Sequence, residues 1–157
     1  MIGWREWVGL PELRVSAVKA KVDTGARSSA LHVFDLQLFT RRGRKWARFK
    51  VHPLQRNRRN EVKAEAPVVD ERNVRNSGGA VEKRLVIVAD VILGGSRWPI
   101  ELTLTNRDAM GFRMLLGRAA VRGRFLVHPG RSYIAGKRGK RQLIRTVRTV
   151  RTVRTVR

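Results

Sequence analysis

The candidate catalytic residues of this chain lie in one short segment, Asp23-Thr24-Gly25-Ala26. Two carboxylates held close together cannot both ionise, so they share a proton, and one acts as a base while the other acts as an acid. The base activates a water that attacks a peptide carbonyl, and the acid protonates the oxygen and then the leaving nitrogen. Gly25 gives the backbone freedom that the sharp turn needs, and the Thr24 hydroxyl can lock the loop. Taken alone, Asp-Thr-Gly also suits an ordinary turn.

Other common catalytic patterns are missing from the sequence. It has no Gly-x-x-x-x-Gly-Lys-Ser/Thr loop for ATP, no His-Glu-x-x-His helix for a protease zinc and no Gly-x-Ser-x-Gly elbow. It has no cysteine, and its three histidines, His32, His52 and His128, are far apart. We therefore predict no metal site and no cofactor.

The segments that must position Asp23 read as strands. Val18, Ala20 and Val22 alternate with polar residues up to Asp23, which is the period of a half-buried strand. Further alternating or dense apolar segments lie at 34–38, 47–51, 62–68, 85–93, 100–104, 125–127 and 133–135. The Gly-Gly-Ser at 94–96 predicts a hairpin turn, and one short helix is expected from 116 to 121. Many short strands with frequent turns predict a mainly β barrel or sandwich.

Length and charge divide the chain into two parts. Its 157 residues have room for one domain, which we place at 1–136. The remaining part, 137–157, contains four Arg-Thr-Val repeats and reads as a disordered basic tail that binds nucleic acid only non-specifically. The whole chain has 35 basic and 12 acidic residues, and nine of the basic ones lie in the tail, so the domain itself is strongly basic.

No segment predicts contact with a membrane. No apolar run approaches the roughly 20 residues of a membrane span. An acid and two tryptophans lie near the N-terminus, where a signal peptide would have a basic start and an apolar block. We expect a cytoplasmic protein.

Several blocks in the same order resemble a bacterial retropepsin-like aspartic peptidase family, often labelled ATP-dependent zinc protease. The resemblance covers roughly residues 2 to 136. Its matching blocks are 19–32, around Asp23, and 51–54, 65–69, 98–107 and 110–118.

This resemblance implies an acid-protease half-barrel with one short C-terminal helix. Asp23 would be the catalytic residue, with Thr24, Gly25 and Ala26 as supports of its loop. The segment Leu115-Leu116-Gly117-Arg118 matches the apolar-apolar-Gly segment that packs beneath the active-site loop of retropepsins. The family label names ATP and zinc, but the sequence offers no recognisable site for either.

The resemblance also implies where a peptide substrate would bind. Retropepsins cover the cleft with a mobile flap, for which the tip containing Asn76, Gly78 and Gly79 is the candidate. Lys21 and Arg27 flank the Asp23 loop and would suit an acidic, glutamate-rich peptide. The family is also associated with ATP-grasp ligases that add glutamates to proteins.

One chain contains only one Asp-Thr-Gly, so the second carboxylate has two possible sources. A homodimer would place Asp23 of each subunit across a two-fold axis, and this is the arrangement we favour. The other source is a carboxylate of the same chain, and Asp108 is the nearest by motif position.

Two non-catalytic alternatives stay open from the sequence. One is a basic β-barrel that binds nucleic acid or the ribosome, and the other is a retropepsin fold that serves only as a binding module. The arginine cluster at 56–60 has no aromatic residue interleaved with it, as single-strand binding would favour. Each tryptophan, Trp46 among them, is expected in core or interface packing.

Overall fold

The computed structural model describes residues 1–53, 61–75, 78–106 and 111–136. The strands are β1 (Ile2–Leu10), β2 (Val15–Asp23), β3 (Ser29–His32), β4 (Phe34–Arg41), β5 (Arg44–Val51), β6 (Val62–Pro67), β7 (Asp70–Arg75), β8 (Val81–Leu93), β9 (Ser96–Thr105), β10 (Met114–Gly117) and β11 (Val127–Ser132). The α-helix α1 spans Arg118–Val121, and a turn of 3-10 helix spans Pro11–Leu13. Within these residues no helix is long and apolar enough to cross a bilayer.

The larger sheet closes on itself as a six-stranded barrel. Its strand order is β11-β1-β2-β10-β3-β9-β8-β7, and β1 also pairs with β8 where Gly9 meets Ile92. The second sheet has the order β4-β5-β6. The mainly β, retropepsin-like prediction with a short helix near the C-terminal end of the domain is confirmed.

The barrel interior is filled by the apolar residues of each alternating strand. Val18, Ala20 and Val22 of β2 are buried, as the sequence period predicts. They join Leu31 of β3 and Leu116 of β10 in one continuous core. The second sheet packs against the same core with one face, through alternate residues of β5 and β6: Ala47, Phe49, Val51, Ala64 and Ala66.

The predicted hairpin after residue 93 is present. Leu93 pairs with Ser96, and Gly94 and Gly95 between them have φ angles of 59° and 89°. These angles lie in the left-handed region, which glycine adopts without steric cost. This tight turn explains why β8 and β9 form a long antiparallel pair.

Two element boundaries differ from the sequence-based prediction. The helix begins at Arg118 and not at Leu116, because Leu116 and Gly117 extend β10 and pair with Val22 and Asp23 of β2. Apolar residues at 116–121 fit both a helix and a buried strand, and the ladder with β2 decides between them. The two predicted closing strands are replaced by the single strand β11, which pairs in parallel with β1.

A buried carboxylate fixes the segment that follows β11. Glu6 of β1 is 0% exposed and accepts three backbone N–H groups. They come from Gly3 at 2.6 Å, from Ile134 at 2.9 Å and from Ala135 at 3.1 Å. Buried polar groups need such partners, and here one side chain satisfies three of them. Glu6 thus connects the two ends of the barrel domain.

We expect Glu6→Ala to lower the free energy of unfolding by about 3 kcal/mol, because it leaves buried N–H groups without an acceptor. Urea unfolding followed by tryptophan fluorescence measures this. The matched control is Glu65→Ala, which removes a partly exposed glutamate that makes ion pairs and should cost less than about 1 kcal/mol. Equal losses in the two variants would contradict the role given to Glu6.

Candidate active site

The pairing of three strands places Asp23 at the surface. It is the last residue of β2 and lies opposite Gly117, the last residue of the parallel strand β10. The chain then turns through five residues and enters β3 at Ser29. From Ala30 onward β3 pairs antiparallel to β10. The Asp23 loop, residues 23–28, is therefore supported from below by the end of β10.

Two hydrogen bonds inside this loop are accepted by Asp23, one by its carboxylate and one by its backbone carbonyl. Gly25 donates its N–H to Asp23 Oδ1 at 3.0 Å, and Ala26 donates its N–H to the Asp23 carbonyl at 3.2 Å. The side chain of Asp23 is half-buried, whereas Thr24 and Gly25 are exposed. One carboxylate oxygen is thus engaged with the loop, and Asp23 stays accessible to solvent.

The segment matched to the second retropepsin motif does lie beneath the loop. Arg118 donates its backbone N–H to the Ala26 carbonyl at 2.7 Å, and Ala119 donates to the Arg27 carbonyl at 3.1 Å. The Arg118 side chain also reaches the loop, because Nη1 donates to the Thr24 carbonyl at 3.1 Å. Three carbonyls of the loop are therefore fixed by two consecutive residues.

Gly117 allows this approach because it has no side chain. A Cβ atom there would lie 2.5 Å from the Ser28 carbonyl oxygen, which is closer than any real contact. The Gly117 N–H donates to Ser29 Oγ at 3.0 Å, and Ser29 is 3% exposed. Of the other two members of the motif, Leu116 is buried in the core and Leu115 is half-buried.

A second set of hydrogen bonds connects the start of β3 with β8. Thr103 of β9 donates through Oγ1 to the Ser29 carbonyl at 3.2 Å and accepts from Arg84 Nη1 at 3.3 Å. Arg84 Nε in turn donates to Glu82 at 3.1 Å. Sequence reasoning missed Ser29, Thr103 and Arg84, because their contacts join β3 to the hairpin of β8 and β9, which is distant from it in the chain. Only the alternation of β9 indicated that Thr103 lies in a strand.

The candidate flap is the hairpin of β7 and β8. Among the described residues, Val81 to Leu85 pair with β7 alone, and the pairing of β8 with β9 begins at Val86. The hairpin therefore extends beyond the barrel. Gly78 and Gly79 lie exposed at its tip, and Asn76 lies outside the described residues. That this tip covers Asp23 stays a prediction.

Ion pairs stiffen the base of this hairpin. Arg72 donates from Nε to Asp70 at 2.9 Å and pairs through Nη1 with Glu101 of β9 at the same distance. The hydrogen bond from Arg72 holds the pKa of the Asp70 carboxyl below its usual value. The hydrogen bond from Lys83 similarly lowers the pKa of Glu71. Of these contacts, the pair between Arg72 and Glu101 attaches the hairpin to β9.

Lys21 and Arg27 are the basic residues near Asp23 whose contact with a substrate stays a prediction. Lys21 is half-buried in β2, two residues before Asp23 and on the same face of the strand, and Arg27 is exposed in the loop. Ion pairs between described residues are confined to side chains from Asp35 to Glu101. Arg27 forms no ion pair with an acid among the residues that the structure describes.

A groove of about 520 Å³ runs beside Thr24. It is lined by Arg118, Val121, Arg122 and the segment 125–127. Leu126 is 74% exposed at this groove, which is the largest exposure among the large apolar residues that the structure describes. The groove thus combines an exposed apolar side chain with the two cationic side chains of Arg118 and Arg122.

No group of three or more His, Asp or Glu side chains in the described residues is placed to hold a metal ion. Asp108, the alternative second carboxylate, lies outside these residues, as do the arginine cluster at 56–60 and the repeat tail.

Comparison with protein families matches residues 1–138 to the model "RimB-like: Retropepsin-like aspartic endopeptidase RimB". A relative from Shewanella pealeana, named "Probable alpha-L-glutamate ligase", is 48% identical over 139 residues, covering 88% of this chain and 30% of the relative. One of the same name from Parasynechococcus marenigrum is 50% identical over 143 residues, covering 91% and 31%. The chain thus spans about 30% of the length of these curated relatives.

A solved structure has the same fold. It is a protein of unknown function from Legionella pneumophila subsp. pneumophila str. Philadelphia 1, with a TM-score of 0.71 and 26% sequence identity. The match covers 85% of this chain and 96% of that one.

We expect Gly117→Ala to lower the free energy of unfolding by about 3 kcal/mol, because the added methyl group must displace the backbone at Ser28. Urea unfolding measures the loss. Ala119→Ser, an exposed change two residues further on, is the control and should be within about 0.5 kcal/mol of wild type. If Gly117→Ala is as stable as this control, the loop does not depend on the close approach.

Proposed function

The chain belongs to the RimB-like family of retropepsin-like aspartic endopeptidases, and we propose that it hydrolyses peptide bonds with Asp23 as its catalytic residue. The observation that carries this proposal is the Asp23 loop itself. Its turn is closed by Gly25 and Ala26, and it rests on the Gly117–Arg118 backbone. A solvent-accessible carboxylate on a loop whose backbone is fixed in this way is suited to general acid–base catalysis.

We propose further that the site is completed by a second copy of the chain. Within the described residues, the hydrogen bonds of Asp23 run to Gly25 and Ala26, and no second carboxylate joins it. Thr24 is exposed next to the groove that carries Leu126. A two-fold axis beside Thr24 would cover the groove and bring the two Asp23 side chains together.

In this dimer the two Asp23 carboxylates share one proton. The ionised one takes a proton from a water molecule, whose oxygen attacks the carbonyl carbon of the substrate. The protonated one gives its proton to the carbonyl oxygen, and the tetrahedral intermediate then collapses as the amide nitrogen is protonated. Water is consumed and two peptide ends are released, so hydrolysis should proceed without added zinc or ATP.

The charge around the site supports an acidic peptide as substrate. Lys19, Arg27, Arg118 and Arg122 lie on the elements around Asp23, and none of them pairs with an acid among the described residues. Such a surface attracts negative charge and raises the rate of encounter. The relatives' name, "Probable alpha-L-glutamate ligase", fits a substrate rich in glutamate. We propose that the chain trims glutamate-rich protein tails, in functional association with an ATP-grasp ligase.

Asp23→Asn should abolish hydrolysis of a glutamate-rich peptide while the fold and the oligomeric state persist, because Asn cannot exchange the proton. Product formation measured by mass spectrometry, beside circular dichroism and sedimentation, tests this. Asp35→Asn, which changes an exposed aspartate elsewhere, should leave the rate unchanged. A wild-type chain that cleaves nothing would support a binding module, and equal activity in Asp23→Asn would remove Asp23 from the mechanism.

Leu126→Asp should convert the dimer to monomers and reduce activity in proportion, because a charge in an apolar interface opposes its burial. Sedimentation velocity over a range of protein concentrations measures the first effect. Leu38→Asp is the control: Leu38 is 50% exposed on the second sheet, and its replacement should leave both properties unchanged. A fully active wild-type monomer would contradict the shared site.

A further inference from the structure

The outer face of the second sheet, which is turned away from the core, carries aromatic and charged side chains. In the register of β4 and β5, Phe39 lies opposite Trp46, and Gln37 lies opposite Arg48. In the register of β5 and β6, Arg48 lies opposite Glu65. Because opposite residues in antiparallel strands project to the same side, these side chains share the face turned away from the core.

Aromatic rings and guanidinium groups lie against one another on this face. The rings of Phe39 and Trp46 are 6.4 Å apart and inclined by 33°. The Arg41 guanidinium lies 4.6 Å from the centre of the Trp46 ring, and that of Arg48 lies 4.7 Å from the centre of the Phe39 ring. Both distances are in the range of cation–π interaction.

One carboxylate fixes both arginines. Glu65 Oε2 lies 2.9 Å from Arg41 and 3.4 Å from Arg48, so a single negative charge serves two positive ones. The two arginine side chains remain 43% and 53% exposed. The guanidinium groups are therefore held against the rings, yet both arginine side chains remain accessible to a ligand.

The turn between β4 and β5 adds unpaired positive charge. It is formed by Arg42 and Gly43, with φ angles of 51° and 77°, and is followed by Arg44. Arg42 and Arg44 are exposed and form no ion pair with any described residue. Two arginines without an acidic partner among the described residues thus lie beside Arg41 and Arg48.

We propose that this platform, formed by Phe39, Trp46, Arg41 and Arg48, binds single-stranded nucleic acid. Bases would stack on the rings and the guanidinium planes, while Arg42 and Arg44 contact phosphates. An acidic peptide could use the charges but would gain nothing from the flat surfaces. The platform lies in the second sheet and not in the barrel loop that carries Asp23, so the proposal is independent of the peptidase reaction.

The test is binding of a fluorescein-labelled twelve-residue oligo(dT) to the full chain, followed by fluorescence anisotropy between low and high salt. Arg42→Gln with Arg44→Gln should weaken binding about tenfold and reduce the slope of log K against log salt by about 1.4, since two phosphate contacts are lost. The control pair, Arg14→Gln with Arg131→Gln, removes the same charge from exposed positions outside the platform and should weaken binding less than about twofold. The basic tail contributes equally to both pairs.

Trp46→Leu tests stacking separately from charge. It should weaken oligo(dT) binding about tenfold and leave binding of inorganic polyphosphate unchanged, and Trp46→Phe should restore most of the affinity. Asp23→Asn should bind oligo(dT) like wild type, which separates this proposal from the peptidase function. Equal losses in the two arginine pairs, or no effect of Trp46→Leu on oligo(dT), would overturn it. Polyglutamate binding with the same dependence on Trp46 would assign the face to an acidic protein instead.

Discussion

The structure around Asp23 depends on one close approach, between the backbone of Gly117 and the carbonyl of Ser28. Because no side chain separates them, β10 can end directly beneath the Asp23 loop and α1 can begin there. The next two residues then bind the loop carbonyls with their backbone N–H groups. A catalytic carboxylate must be held within a fraction of an ångström, and strand pairing provides such rigidity better than a free loop would.

Charge is distributed unevenly over this basic chain. The ion pairs among the described residues lie from Asp35 to Glu101, in the second sheet and the β7–β9 region. Glu6 and Glu12, on the barrel side, accept backbone N–H groups instead. Lys19, Arg27, Arg118 and Arg122, on the elements around Asp23, form no ion pair with an acid among the described residues. These cations contribute to the net charge of +23 and support the proposal of an acidic substrate.

The sequence predicted the strands and the Asp23 loop because their signals are local. Alternation in β2, the Gly-Gly turn after Leu93 and the Asp-Thr-Gly triplet each lie within a few residues. The helix start was wrong, because the pairing of Leu116 with Val22 is a contact between distant segments. The catalytic role of Asp23 and the flap role of the tip at Gly78 and Gly79 stay predictions.

The side-chain contacts that could not be predicted from the sequence are those set by the register of paired strands. Trp46 was expected to pack in a core or interface, and the arginine cluster at 56–60 offered no aromatic partner. The partners of Trp46 are Phe39 and Arg41 across a hairpin, and no linear pattern shows that they stack. The contacts of Ser29 with Thr103 and of Glu6 with Ile134 were hidden for the same reason.

The central claim is that Asp23 is half of a site that a second chain completes. The most direct measurement mixes a fixed amount of wild-type chain with increasing amounts of Asp23→Asn, allows the subunits to exchange, and follows peptide hydrolysis. The account predicts that activity falls toward zero as mixed dimers with a single carboxylate replace wild-type dimers. Activity that stays constant at every ratio would show that each chain carries a complete site of its own.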